Sequence, residues 1–238
     1  TQALLSLIEA ELALPASSRR PAKATPIESS SPSSLYQSLV TAAQMDKCRE
    51  FATQHRNHLL HMEAMFGVPG EVAVAILMVE TRLGTYLGNR NAFTVLASMA
   101  RSEDFQVIHP YLGDKGYTAE ELAWLKLKAK EKGNWAYKEL KALLSYCLDH
   151  VHDPLSIPAS IYGAVGYCQF MPSNILAYGR DGDGDGRINL FTMSDAIVSI
   201  GSYLREHGWQ GDMSQASRRR AAIFSYNRSQ RYVNTVLH

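Results

Sequence analysis

An apolar run ending in a single acid constrains this chain more than any other stretch. Val72-Ala-Val-Ala-Ile-Leu-Met-Val79 is followed at once by Glu80. Pro69 stands before the run, where a residue without an N–H fits the first turn of a helix. Gly84 stands after Leu83, where glycine best serves a left-handed stop. A helix apolar on every side belongs in a core rather than on a surface. The pattern therefore predicts a helix buried all round, with the other segments packed about it.

Glu80 would close that helix. Burial and the negative helix pole both disfavour a carboxylate, so its pKa should rise. A carboxylic acid still protonated near neutral pH is what a general acid in glycoside cleavage requires. The competing reading is a glutamate held at the helix end by an ion pair with Arg82 or Arg90.

The chain has 238 residues, enough for one large domain or two small ones. Its 24 basic and 23 acidic side chains nearly cancel, which gives no field for a polyanion and points away from nucleic acid. Arg218-Arg219-Arg220 is the one tight basic cluster, and a solvated helix face accounts for it. No apolar run reaches transmembrane length. The chain begins at Thr1 and reads as a processed or trimmed form, any signal or lipid anchor having gone with the start. Cys48, Cys147 and Cys168 are far apart and odd in number. They exclude a paired-cysteine zinc site, permit one internal bridge, and leave the redox compartment open.

Residues 1–34 read as a short helical pattern (Leu4, Leu5, Ile8, Leu12) followed by a Ser/Pro-rich arm. From Leu35 to Phe66, Met45, Cys48, Phe51, His55, Leu59 and Met62 recur at helical steps. His55, His58 and His61 share a face, but without a fourth ligand they read as edge or surface histidines. Thr118-Ala-Glu-Glu121 is a capping box that opens a helix running to Gly133. A second helix is predicted from Trp135 to Leu148. No β-rich run appears, so strands can only be short and the chain is mainly α.

Two further stretches carry chemistry. Ser160-Ile-Tyr162-Gly-Ala-Val-Gly166-Tyr167-Cys168-Gln169-Phe170-Met171-Pro172 turns sharply on its glycines and offers an amide and aromatic faces, the usual equipment for gripping a sugar. An ordinary packed turn fits the same composition. Asp181-Gly-Asp183-Gly-Asp185-Gly186-Arg187-Ile188 matches the first half of an EF-hand. Thr192 stands where that loop usually has its glutamate, and Asp195, three residues on, could close a longer loop. Without a cation the aspartates would repel one another, so we expect structural calcium held by Asp181, Asp183, Asp185, the Arg187 carbonyl and Asp195.

Together these stretches resemble the MltB-type lytic murein transglycosylases, bacterial cell-wall enzymes with a lysozyme-like fold. The resemblance runs in order from about Phe51 to the end. Gly67-Val68-Pro69 through Glu80-Thr81-Arg82-x-Gly84 is similar to the family's catalytic helix, and Asp153-Pro154 through Ser160 and Gly163 to Ser173 to its groove motif. The Asp181 loop with Ile188-Asn189-Leu190 and Asp195 resembles its calcium loop, while Tyr203-Leu204, His207-Gly208-Trp209 and Tyr226-Asn227 match later motifs. Leu83 and Cys168 depart from the usual aromatic and glycine, Arg101-Ser-Glu-Asp-Phe105 stands in place of a paired-arginine segment, and the stretch 109–152 is longer than usual.

The resemblance implies an α+β lysozyme-like catalytic domain over residues 35–238, with a helical insertion at 109–152 and an EF-hand-like loop at 181–195. It implies Glu80 as the single acid/base and Ser160 as the residue that orients it. Gln169, Phe170 and Met171 would line the sugar subsites, with Tyr203, Tyr226 and Asn227 around the cleft; Tyr162 is a further candidate. The partner would be the glycan strands of peptidoglycan, cleaved at the MurNAc–GlcNAc bond to leave a 1,6-anhydro end. The location would be periplasmic, outer-membrane-associated or secreted. Two other readings are a lysozyme that uses water with the same Glu80, and a non-catalytic wall-binding protein.

Overall fold

The computed structural model describes residues 34–113, 116–150, 152–210 and 216–238. The N-terminal helix and Ser/Pro-rich arm expected over 1–34 lie outside the described residues, apart from Ser34. The described chain is mainly helical, with one short antiparallel pair, Arg90–Asn91 against Pro158–Ala159. It divides into two compact units, each discontinuous in sequence. One is Gly88–Ala164 with Met171–Ser173; the other takes the residues up to Leu87 with Val165–Phe170 and Asn174–His238.

In the first unit the capping box forms as predicted. Glu121 N donates to Thr118 Oγ1 at 3.2 Å, and Thr118 N donates to Glu121 Oε2 at 2.9 Å. The helix it opens, Ala119–His150, runs unbroken for 32 residues, where the sequence predicted two helices parted at Gly133. Gly133 is not a stop. A Cβ there would lie 2.4 Å from the Glu103 backbone nitrogen, so the glycine lets the Arg101–Glu103 turn sit directly on the helix. Leu125, Ala129 and Ala136 of this rod pack with Met99, Ile108 and Leu112. Asn91 joins sheet to helix: its Oδ1 accepts from Thr94 N at 2.8 Å, capping Ala92–Ala100, and its Nδ2 donates to Leu155 O at 2.7 Å.

The second unit is organised by the Gly70–Thr81 helix. Ala73, Val74, Ile76, Leu77, Met78 and Thr81 are buried against the Ala42–Gln54, Arg56–Phe66, Met193–Glu206 and Gln230–Val236 helices. The composition of the Gly70–Thr81 helix predicted burial all round, and the structure differs. Glu71 is exposed and Val72, Ala75 and Val79 are half-buried, the last two lining an apolar cavity of about 290 Å³ with Leu39, Met45 and Cys48. Pro69 caps from outside in an extended conformation, and Glu63 of the preceding helix supplies the missing acceptor, taking Gly70 N at 2.6 Å.

Cys48, Cys147 and Cys168 are all free, so the permitted bridge does not form. His55 sits at the junction of two helices with its ring 4.4 Å from Phe51. Burial, then His58, lowers its pKa. Among the described residues neither it, His58 nor His61 enters a cluster suited to a metal.

Candidate active site

Glu80 stands in the last turn of the Gly70–Thr81 helix. The residue is half-buried as a whole, but its carboxyl is closely enclosed, and that enclosure raises its pKa from 4.5 to about 7. The one opposing influence is the hydroxyl of Tyr232, which favours the charged form. Tyr232 is 1% exposed; its hydroxyl couples to the carboxyl without reaching standard hydrogen-bond geometry and has no other partner. Tyr36 is a second aromatic neighbour, its own pKa pushed up by burial and then by the Glu80 charge. Glu80 makes no ion pair with a described residue, so it is not the salt-bridged helix end of the competing reading.

The backbone just past the acid is unusual. The left-handed region begins at Arg82, two residues earlier than predicted, and continues through Leu83 and Gly84 with φ of 52°, 59° and 88°. For a residue with a side chain this conformation costs about 1–2 kcal/mol. The turn is held from within: Thr81 Oγ1 donates to Tyr167 O at 3.0 Å and accepts from Gly84 N at 3.1 Å. Gly84 has no room to change, since a Cβ would lie 2.7 Å from both Met193 Cε and Tyr167 Cε1.

Tyr167 belongs to the Val165–Phe170 turn, closed by reciprocal hydrogen bonds between Val165 and Phe170 at 2.8 and 3.1 Å. Tyr167 N donates to Leu190 O at 2.9 Å, and Tyr226 Oη donates to Cys168 O at 2.6 Å. Gln169 is left-handed at φ 51° and half-buried, its Nε2 donating to Gly166 O at 3.0 Å. Phe170 is 1% exposed, its ring 5.5 Å from Tyr203 and 5.7 Å from Tyr226. It therefore offers no surface to a sugar, contrary to expectation, and instead supports those two tyrosines from below. Tyr203 is 6% exposed and its hydroxyl is taken by Ser225 O at 2.7 Å. Tyr226 stacks with Tyr232 at 6.3 Å, and burial raises its pKa well above the ordinary value. Asn227 is exposed beside it.

Three predicted residues belong to the first unit. Ser160 follows the Pro158–Ala159 strand; its Oγ accepts from Ala164 N at 3.1 Å and Tyr162 N at 3.3 Å, which leaves its proton to donate. Tyr162 is exposed and Met171 half-buried. After Met171 the Pro172–Tyr178 helix begins, and Ser173 gives both its N–H and its hydroxyl to the buried Glu139, at 2.9 and 2.8 Å.

The acidic loop gathers Asp181, Asp183 and Asp195, which offer carboxylate oxygens all within 4.8 Å of one another. Asp185 lies outside that cluster, and its Oδ1 accepts from Arg187 N at 2.8 Å. Asp181 accepts from Gly184 N at 2.7 Å and Gly186 N at 2.8 Å; the Gly186 bond contributes most to holding its carboxyl below the usual range. Asp195 is buried, accepts from Gly182 N at 2.9 Å and Asn189 N at 2.6 Å, and is pushed up chiefly by burial and further by Asp183. An all-oxygen, net-negative cluster around a buried carboxylate fits a hard divalent cation, which would supply the missing positive charge.

Sequence reasoning named Thr81 only within the catalytic-helix motif, with no role of its own, and missed Tyr36, Tyr232 and Glu139. Tyr232 carried a weak signal, one short loop beyond the Tyr226-Asn227 pair; Tyr36 and Glu139 had none, because contacts between distant segments make them.

This mainly helical fold is that of the lysozyme-like lytic transglycosylases. The soluble lytic transglycosylase SltB1 of Pseudomonas aeruginosa superposes with a TM-score of 0.71 over 99% of this chain and 86% of its own, at 23% identity. The Escherichia coli lytic transglycosylase Slt35 in complex with calcium does so with a TM-score of 0.69, covering 85% of this chain and 74% of its own at 22% identity. In sequence, the membrane-bound lytic murein transglycosylase B of Escherichia coli K12 is 32% identical over 163 residues, 68% of this chain. The match spans 38% of that relative's length. The chain belongs to the transglycosylase SLT domain family, whose profile matches residues 3–221.

Proposed function

We propose that this chain is a peptidoglycan-cleaving lytic transglycosylase acting on the bond from N-acetylmuramic acid to N-acetylglucosamine. The observation that carries this reading is the state of Glu80: a carboxyl with its pKa near 7 whose coupled neighbours among the described residues are tyrosine hydroxyls and the Cys168 thiol, with no second carboxylate. Glu80, protonated, gives its proton to the glycosidic oxygen as the bond breaks. A retaining glycosidase of the usual kind needs a second carboxylate about 5–5.5 Å away. Here the sugar's own 2-acetamido oxygen takes that part at C1. Glu80, now a carboxylate favoured by Tyr232, takes the proton of the C6 hydroxyl, whose oxygen attacks C1, releases the acetamido group and closes the 1,6-anhydro ring.

The sequence resemblance supports the remaining roles. Ser160, with its proton uncommitted, suits a residue that donates to a carboxylate. Gln169 suits a sugar contact through its amide oxygen, and Met171, Tyr162, Tyr226 and Asn227 suit further contacts. Asp181, Asp183 and Asp195 would hold calcium, with the Arg187 carbonyl a candidate fourth ligand; the ion would stabilise the loop, with no part in the bond cleavage. Among the described residues no single helix is long and apolar enough to cross a membrane. A periplasmic or membrane-associated site of action is in keeping with this reading and with a relative named as a membrane-bound murein enzyme.

Purified peptidoglycan tests the reading. Glu80→Gln should lower muropeptide release by about 10²–10⁴-fold with the circular dichroism spectrum unchanged. Mass spectrometry of the wild-type digest should show anhydro ends. A digest dominated by reducing ends, heavier by one water, would replace this reaction with hydrolysis.

A further inference from the structure

We propose that Thr81 is the positioning residue for Glu80: its hydroxyl ties the end of the acid-bearing helix to the Val165–Phe170 turn and so fixes where the carboxyl stands. The proposal rests on the catalytic reading of Glu80 and deepens it. Thr81 is 1% exposed, so it cannot touch a substrate. It is the residue next to the acid, and its hydroxyl makes a long-range bond, to Tyr167 O at 3.0 Å across 86 residues.

The same oxygen accepts from Gly84 N at 3.1 Å and lies 3.3 Å from Leu77 O, the acceptor of its own helix turn. One hydroxyl thus joins three pieces of backbone: the last helical turn, the left-handed Arg82–Gly84 reversal, and the sugar-gripping turn. That turn cannot follow the helix end if it moves. Tyr167 N is held by Leu190 O, Cys168 O is held by Tyr226, and a Cβ at Gly166 would lie 2.5 Å from Leu190 Cβ.

Without the tie, two consequences follow. Tyr167 O and Gly84 N lose a partner in a buried place, and the strained residues Arg82 and Leu83 are free to relax toward ordinary φ values. Relaxation there would turn the last helical turn, which carries Thr81 and Glu80, and move the carboxyl from its enclosure. A displacement of about 1 Å in a reacting group can lower a rate by roughly 10²-fold.

The isosteric Thr81→Val and the hydroxyl-keeping Thr81→Ser together separate hydroxyl from packing. Thr81→Val keeps the shape and loses the bonds, whereas Thr81→Ser keeps the bonds and loses a methyl. On peptidoglycan we expect kcat to fall by about 10–10²-fold in Thr81→Val with KM within a factor of two, and to stay near wild type in Thr81→Ser. A second readout needs no catalysis. In protein carrying ¹³C at glutamate side chains, the Glu80 signal, assigned by its absence in Glu80→Gln, should titrate closer to an ordinary carboxyl in Thr81→Val and as wild type in Thr81→Ser.

Should Thr81→Val fail to fold, Thr81→Ala enters the same comparison with Thr81→Ser. Unchanged kcat and an unchanged Glu80 titration without the hydroxyl would overturn the proposal, as would an equal loss in both variants, which would make Thr81 a packing residue only. If Glu80→Gln kept its activity, the catalytic reading would fail while the titration still decided whether Thr81 positions Glu80.

Discussion

Replacing Glu80 with glutamine should stabilise this protein, and the gain should grow with pH. Enclosure raises the Glu80 pKa from 4.5 to about 7. At ~1.36 kcal/mol for each tenfold change, that is a preference of about 3.4 kcal/mol for the neutral form in the folded state. The sign follows from linkage. A folded-state pKa above the unfolded one means that the unfolded chain gives up its proton first as pH rises. The stability associated with this group is therefore whole below the unfolded value and is lost progressively as pH climbs through about 7. Between pH 5 and pH 8 the loss comes to about 2.5 kcal/mol.

Glutamine keeps the shape and has no proton to give up, so Glu80→Gln avoids this loss. The difference in unfolding free energy between variant and wild type should widen by about 2–3 kcal/mol from pH 5 to pH 8. In a protein of this size that corresponds to a gap in Tm opening by roughly 5–10 °C. Urea unfolding followed by circular dichroism at constant ionic strength, at half-unit steps over that range, measures it directly. Curves for the two proteins that stay parallel across the range would show that the carboxyl is not buried in the way argued, and the case for a proton held near neutrality would go with it.

Two other perturbations have directions set by the structure. Asp195→Ala removes the acceptor of Gly182 N and Asn189 N and the buried member of the acidic cluster, so it should cost about 2–4 kcal/mol by urea unfolding and abolish the rise in Tm on adding calcium; Asp185→Ala, outside the cluster, should leave both within error. Gly133→Ala would normally favour a helix, but here the added carbon meets Glu103 N at 2.4 Å, so a loss of about 1–3 kcal/mol is expected by the same assay.

What the sequence made legible follows from the range of the interactions involved. The apolar run before Glu80, the capping box at Thr118 and the aspartates at 181 and 183 declare themselves in local spacing, and the structure has a helix, a cap and a carboxylate cluster at those places. Gly133 misled because a glycine that permits close approach and a glycine that ends a helix look alike until the neighbouring backbone is known. The early helix end at Thr81 was hidden for a related reason. Local preference favours Gly84 as the left-handed residue, and only the bond from Thr81 to Tyr167 makes it worth placing Arg82 and Leu83 there. Asp185 stands in the register of a standard loop but outside the gathered carboxylates, a placement that only the folded loop reveals.

The uncommitted state of Glu80 owes as much to other carboxylates as to its own surroundings. Glu63 is spent on Gly70 N, Glu139 on both donors of Ser173, and Asp181 and Asp195 on two backbone N–H groups each. The hydrogen bonds that each of these carboxylates accepts fix it in place, which suits it to hold a helix end or to shape a loop. Glu80 differs in kind: among the described residues it accepts no hydrogen bond of standard geometry, the Tyr232 hydroxyl coming nearest, and its pKa sits where either form is within easy reach. Such a group can give a proton and take one back within a single turnover. The acid and the strained Arg82–Leu83 backbone flank Thr81, each destabilising by itself, and the Thr81 hydroxyl bonded between the helix end and the Val165–Phe170 turn is what the structure sets against both.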